Sequence, residues 1–146
     1  MTTTVVPYLC VKGAAAAIDF YKRAFGANEV MRLTEPNGRI GHAEVRINEA
    51  RIMLADEFPE YDILSPLSRG GSAVSISLAV DDADAVVAQA AKAGATVLQK
   101  VADQFYGDRS GKIRDPFGHT WQVSTRIEEL TAEEMQRRYD EVLQSS

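Results

Sequence analysis

The chain has 146 residues, enough for one ordinary domain or for two half-domains built on one plan. It is 45% hydrophobic and 25% charged, which excludes disordered, fibrous and collagen-like classes. Sixteen Lys+Arg against 21 Asp+Glu give a net charge of −5 with no basic cluster, so nucleic acid and anionic membranes are excluded as main partners. Its single cysteine, Cys10, cannot form an intramolecular disulfide and predicts a reducing cytosol. The N-terminus lacks secretory-signal features, and no run approaches the roughly 20 apolar residues of a membrane span. A cytoplasmic protein is therefore expected. There are only two histidines, His42 and His119, which limits imidazole chemistry from the start.

In chain order, Val5 to Val11 reads as a strand, followed by an Ala-rich helix from about Ala14 to Phe25. Gly26 is placed to stop that helix. Asn28 to Leu33 reads as a second strand, and Gly41–Ile47 and Arg51–Ala55 flank a turn at Asn48-Glu49. Residues 56–73, with Pro59, Pro66 and Gly70-Gly71, read as a linker. The plan then repeats. Val74 to Val80 is a strand, Asp81 or Asp82 caps a helix ending near Gly94, and Ala95 to Leu98 begins another strand. Lys112–Arg114 and Thr120–Ser124 flank the turn Asp115-Pro116-Phe117-Gly118. Leu9 and Leu78 stand 69 residues apart, as do Val11 and Val80. The chain is thus read as one α+β domain: module 5–55, linker 56–73, module 74–124 and a C-terminal helix over about 131–143. That last helix opens with a capping-box spacing at Thr131 to Glu134. It carries an apolar stripe of Met135, Tyr139, Val142 and Leu143, suited to docking on its own body or a second subunit.

Alternation along the strands separates two faces. Leu9, Val11, Ala43, Val45, Ile47, Ile52, Leu54, Ile76, Leu78, Trp121 and Val123 share an apolar face that helices can cover. The opposite face collects Tyr8, Cys10, His42, Glu44, Arg46, Met53, Ser75, Ser77 and Gln122. Such a face either meets water or, if the halves curve together, lines a small-molecule cavity. Tyr8, Cys10 and Met53 are poor choices for open solvent and favour the cavity.

The wording of the chain resembles the vicinal oxygen chelate superfamily, that of glyoxalases, bleomycin-resistance proteins and extradiol dioxygenases, and within it the PhnB-like branch. The resemblance rests on Ile18-Asp19-Phe20-Tyr21-Lys22 with Phe25-Gly26-Ala27, on His42-Ala43-Glu44, and on Ile52-Met53-Leu54-Ala55-Asp56-Glu57. Gly107-Asp108-Arg109-Ser110-Gly111 and Asp115-Pro116-Phe117-Gly118-His119 with Trp121 complete it. It implies two βαβββ modules forming a cupped mixed β-sheet with helices on the outer face, and a homodimer. Metal-dependent relatives hold a divalent ion with two His and two Glu, at positions that correspond here to Val6, Met53, Ser75 and Gln122. Valine and a thioether do not serve a hard cation, so no metal and no other cofactor is expected, save a divalent ion on nonstandard ligands.

The candidate site residues follow. His42 and Glu44 project to one face and can act as a general acid/base pair, or equally form a structural network with Arg46 and Arg51. The structural network is the simpler reading. Tyr8, Cys10, Arg46, Met53, Ser75, Ser77 and Gln122 are candidate ligand-binding residues on the cavity face. Tyr106 and Arg109 join them from a polar-aromatic loop that could close over a ligand, with Arg109 meeting an anion. Cys10 reads as an unreactive thiol, and His119 as a residue that shapes the hairpin. The function expected is small-molecule binding without the usual metal site. The alternatives are a lyase, isomerase or dioxygenase with nonstandard metal ligands, or a drug-sequestering protein that sandwiches a planar compound between Tyr8 and Tyr106.

Overall fold

Apolar alternation and two Gly-terminated helices fold each half of the chain into a strand, a helix and three further strands. The computed structural model describes residues 1–145. The first module contains β1 (Tyr8–Val11), α1 (Ala14–Phe25), β2 (Asn28–Thr34), β3 (Ile40–Ile47) and β4 (Ala50–Asp56). The linker holds a 3-10 turn at Pro59–Tyr61 and a short helix α2 (Pro66–Arg69). The second module contains β5 (Ser75–Ala79), α3 (Ala83–Ala93), β6 (Thr96–Asp103), β7 (Asp108–Arg114) and β8 (Thr120–Arg126), and α4 (Ala132–Ser145) follows.

Each module makes its own four-stranded mixed sheet, in the orders β1-β4-β3-β2 and β5-β8-β7-β6. The β1–β4 and β5–β8 pairs are parallel and the remaining pairs antiparallel. Strand β1 begins at Tyr8 rather than Val5, although the Pro7 carbonyl still accepts from Met53 N at 2.9 Å. The largest departure from the sequence reading lies in the second module. Strand β7 starts at Asp108, so the stretch taken for a loop is a tight turn closed by Gln104 N to Asp108 O at 2.7 Å. Arg109 is thereby a strand residue, and only Tyr106 stays in the turn.

The duplication extends to how the helices begin. Gly13 precedes α1 and has no side chain to cap it. Asp56, at the end of β4, does so instead: its Oδ1 accepts from Gly13 N (3.0 Å) and Ala14 N (2.7 Å), and its Oδ2 from Ile40 N (2.7 Å). In the second module Thr125 Oγ1 accepts from Ala83 N at 2.8 Å and donates to Val80 O at 3.0 Å. Asp56 and Thr125, like Ala14 and Ala83, are 69 residues apart, so the same device recurs with different chemistry. Asp82 adds a local cap by accepting from Ala85 N.

The two modules share one core. Helices α1 and α3 pack against each other, and α1 lays Phe20, Tyr21 and Phe25 on Phe117 and Trp121 of the second module. Ring centroids are 4.7 Å apart for Phe25–Trp121 and 6.2 Å apart for Phe20–Phe117. Fully burying aromatic side chains of this size contributes roughly 2–3 kcal/mol each. At the centre, the buried Asp115 carboxylate accepts from Tyr21 OH (2.7 Å) and Trp121 Nε1 (2.9 Å). It also accepts from the amides of Phe117 (2.9 Å) and His119 (3.0 Å). Trp121 is core, as its alternation predicts. Helix α4 is tied down by a Phe105–Tyr139 stack, centroids 5.3 Å apart, and by Arg138 on Glu128 and Phe105 O. Thr131 Oγ1 caps it by accepting from Glu134 N.

Candidate functional site

With both apolar sheet faces turned to the helices, the polar residues of each sheet are left together on the opposite face. Register sets their neighbours. In the first module Tyr8 pairs with Met53, Met53 with Glu44, and Glu44 with Met31, which makes one row across all the strands of the sheet. Cys10 pairs with Ala55 and His42 with Leu33 in the next row. Tyr8 OH reaches across to within 2.7 Å of His42 Nδ1, with the two ring centroids 5.4 Å apart.

Glu44 is held differently. It is 9% exposed, and Arg51 grips it with Nη2–Oε1 at 2.9 Å and Nε–Oε2 at 3.3 Å. Arg46 approaches only to 4.0 Å. The Arg51 fork holds the Glu44 carboxyl below its ordinary pKa and so keeps it ionised. His42 and Glu44 thus share a face as the sequence indicates, but each is bonded to another partner, His42 to Tyr8 and Glu44 to Arg51.

In the second module Ser77, Gln122, Lys112 and Gln99 form the row equivalent to that of Tyr8. Ala79, Ser124, Ser110 and Ala102 form the next. Tyr106 bends back over this face from its turn. Its hydroxyl lies 3.1 Å from Ser110 Oγ and accepts from Gln122 Nε2 at 3.1 Å. Ser75, paired with Thr120, lies at the rim. Ser110 and Lys112 belong to this face and are not among the candidate site residues read from the sequence. Their signal was alternation along β7, which is visible only once the strand is known to start at Asp108. Arg109 falls on the other side of that strand, bound to Asp84 (2.7 and 3.0 Å) and Asp103 (2.9 Å), away from Tyr106 and Gln122. Asp108 pairs with Arg126.

A cleft of about 400 Å³ opens where β1 meets β5 and the linker, walled by Tyr8, Cys10, Arg69, Val74, Ile76 and His119. His119 Nε2 lies 3.0 Å from the Cys10 carbonyl. A carbonyl only accepts, so this nitrogen carries the proton. Burial first, then the charges of Glu57 and Asp56, push the Cys10 thiol above its ordinary pKa. A thiol so protonated is a poor nucleophile, in keeping with the unreactive role expected of it.

The positions that the resemblance matches to metal ligands are Val6, Met53, Ser75 and Gln122. Val6 precedes β1, and the direct neighbour of Met53 is Tyr8. The direct neighbour of Gln122 is Ser77, while Ser75 pairs with Thr120. Val6, Met53, Ser75 and Gln122 supply neither carboxylate nor imidazole, so this set does not fit a hard divalent ion. No group of three or more His, Cys, Asp or Glu suited to a metal occurs among the described residues.

The family profile described as the Glyoxalase/Bleomycin resistance protein/Dioxygenase superfamily matches residues 3–123. The chain belongs to this superfamily. It is similar to an uncharacterized protein of Mycobacterium bovis, 44% identical over 133 residues that span 89% of this chain and 88% of that protein. Among solved structures, the protein PA1353 of Pseudomonas aeruginosa superposes with a TM-score of 0.70 at 25% identity, covering 87% of this chain and all of that one. A PhnB protein from Bacillus cereus shares the fold, with a TM-score of 0.64 at 16% identity over 84% of this chain and 99% of its own. Within the superfamily, this chain keeps the duplicated strand and helix plan. Among the described residues, no helix is long and apolar enough to cross a membrane.

Proposed function

We propose that this superfamily member binds a small organic molecule in the cleft at the β1–β5 seam, using the adjoining polar groups and no four-ligand metal centre. One observation carries the reading. The residues singled out on the first strand, Tyr8 and Cys10, line a cavity of ligand size in a chain whose corresponding metal positions hold Met53 and Gln122. The Tyr8–His42 pair gives the cleft a hydrogen-bonding edge next to apolar Val74 and Ile76. The reading takes the protein to be a cytoplasmic homodimer, on its single cysteine and on what the family resemblance implies.

Metal analysis of purified protein, with thermal shifts across a panel of planar drugs and small organic molecules, tests this. Stabilisation by a saturable organic ligand with no stoichiometric divalent ion is expected. A chelator-sensitive ion at one per chain, lost together with turnover in His42→Ala, would favour the metal-dependent enzyme instead. Light scattering after gel filtration tests the dimer, and a single-chain mass would remove that part.

A further inference from the structure

Resting on the reading of the seam cleft as the binding site, the geometry points to an apolar organic anion as its ligand, with Arg69 as the charge contact. The cleft wall is otherwise mostly apolar: Leu64, Pro66, Val74 and Ile76 surround Tyr8 and the protonated Cys10. Arg69 closes α2 and, among the described residues, is the one Lys or Arg that lines it.

Its bonding sets it apart from arginines that are already committed. Arg51 and Arg109 hold carboxylates at 2.9 and 2.7 Å. Arg69 donates to the Asp62 carbonyl at 2.9 Å and reaches the Asp62 carboxylate only at 3.6 Å, where that side chain is 85% exposed. An exposed partner at that distance is screened by water and holds the guanidinium weakly. The Arg69 charge also acts on the Cys10 thiol, opposing the effects of Glu57 and Asp56, so it is felt inside the cleft.

A guanidinium beside an apolar wall binds a carboxylate or sulfonate through two parallel hydrogen bonds. The ligand's apolar body supplies the burial, and its anionic end supplies the orientation. The net charge of −5 disfavours anions at long range, so selectivity has to come from this one local cation.

Fluorescence titration with a matched pair of dyes tests the inference: 1-anilinonaphthalene-8-sulfonate, and N-phenyl-1-naphthylamine, which has the same aromatic body without the sulfonate. The variants are Arg69→Gln, Arg69→Lys and the cleft-blocking Ser72→Trp, each checked for an unchanged thermal melt. Ser72 lines the cleft and its side chain bonds only to the backbone of Val74, so the block leaves the core alone. Arg69→Gln is expected to weaken the sulfonate about tenfold, the scale of one charge-assisted hydrogen bond, and to leave the neutral dye unchanged. Arg69→Lys should restore part of the loss, and Ser72→Trp should abolish both dyes. If both dyes bind and are lost in Ser72→Trp but Arg69→Gln weakens neither, the anion assignment is overturned while the cleft stands. If neither dye binds, or Ser72→Trp leaves both bound, the cleft itself is overturned as the binding site.

Discussion

Removing the Asp115 carboxylate should unlock the two modules from each other. In Asp115→Ala the Tyr21 hydroxyl and Trp121 Nε1 lose their acceptor while their side chains are 1% and 0% exposed. A buried donor left without a partner costs about 1–3 kcal/mol. Two such donors, with the Phe117 and His119 amides also released, give an expected loss of about 4 kcal/mol, a large share of the ~5–15 kcal/mol of a typical domain. Tyr21→Phe alone removes one charge-assisted bond and leaves the carboxylate its other donors, for a loss of about 1.5 kcal/mol. The double variant should be less destabilised than the sum, by about 1–2 kcal/mol, because phenylalanine leaves no orphan hydroxyl once Asp115 is gone. Urea unfolding followed by the fluorescence of Trp121, the chain's only tryptophan, and by far-UV circular dichroism gives all the corners of this cycle. A loss below about 1 kcal/mol in Asp115→Ala, or strict additivity, would refute the view that this carboxylate joins the modules.

The same tyrosine should report on alkali. Burial and the neighbouring Asp115 raise the Tyr21 pKa well above 10.0 in the folded chain, so its contribution is fully present below pH 10.0 and is lost as pH rises beyond it. Urea midpoints of the native chain should therefore fall more steeply above that pH than those of Tyr21→Phe, and parallel curves would count against the assignment. Asp56→Ala should cost about 2 kcal/mol in urea unfolding by uncapping α1 and freeing Ile40 N, whereas a loss within about 0.5 kcal/mol would show that water replaces it. Gly107 has φ +94°, and a Cβ there would stand 2.7 Å from the Glu128 carbonyl. Gly107→Ala should lower stability by about 2–3 kcal/mol, and an unchanged midpoint would contradict the close approach.

Most of the fold is legible in the chain because its two strongest signals are local. Ala14 to Phe25 has helical spacing bounded by glycines, and its predicted limits are those observed. Alternation sorts Leu9, Val45, Leu54 and Trp121 to the core, where each is buried. The misread segment is one where local signals conflict. Gln104 to Gly111 mixes Gly107, Gly111 and Tyr106 with charged residues, so it reads as a loop, and the β6–β7 pairing closed by the Gln104 N to Asp108 O bond makes it a hairpin. Part of β6 also slips register, at Val97/Gln99 and Gln99/Ala102, which breaks the alternation that would identify its faces. Partner choice within the site was less legible than position. His42, Glu44 and Arg51 can be put on one face from spacing, yet the bond from Tyr8 to His42 across the sheet emerges only in the fold. Arg69 shows no pattern in the sequence at all, because it reaches the cleft from the end of a four-residue helix.

Duplication gives this fold pairs of equivalent positions, and the pairs diverge according to what each must do. Where the demand is backbone satisfaction, the solution is kept in kind: Asp56 and Thr125 both offer an oxygen to the first amide of a helix, and either residue type suffices. Where the demand would be a shared ion, all the positions have to agree, since a hard cation tolerates no thioether or alkyl ligand. With Met53 and Gln122 on those strands, the two sheets carry different chemistry: an aromatic–imidazole pair and an Arg51-gripped carboxylate on one, a Tyr106–Ser110–Gln122 hydrogen-bonded patch on the other. On the proposed reading, an asymmetric organic ligand in the seam cleft can touch both halves at once, because β1 and β5 each leave an edge unpaired there.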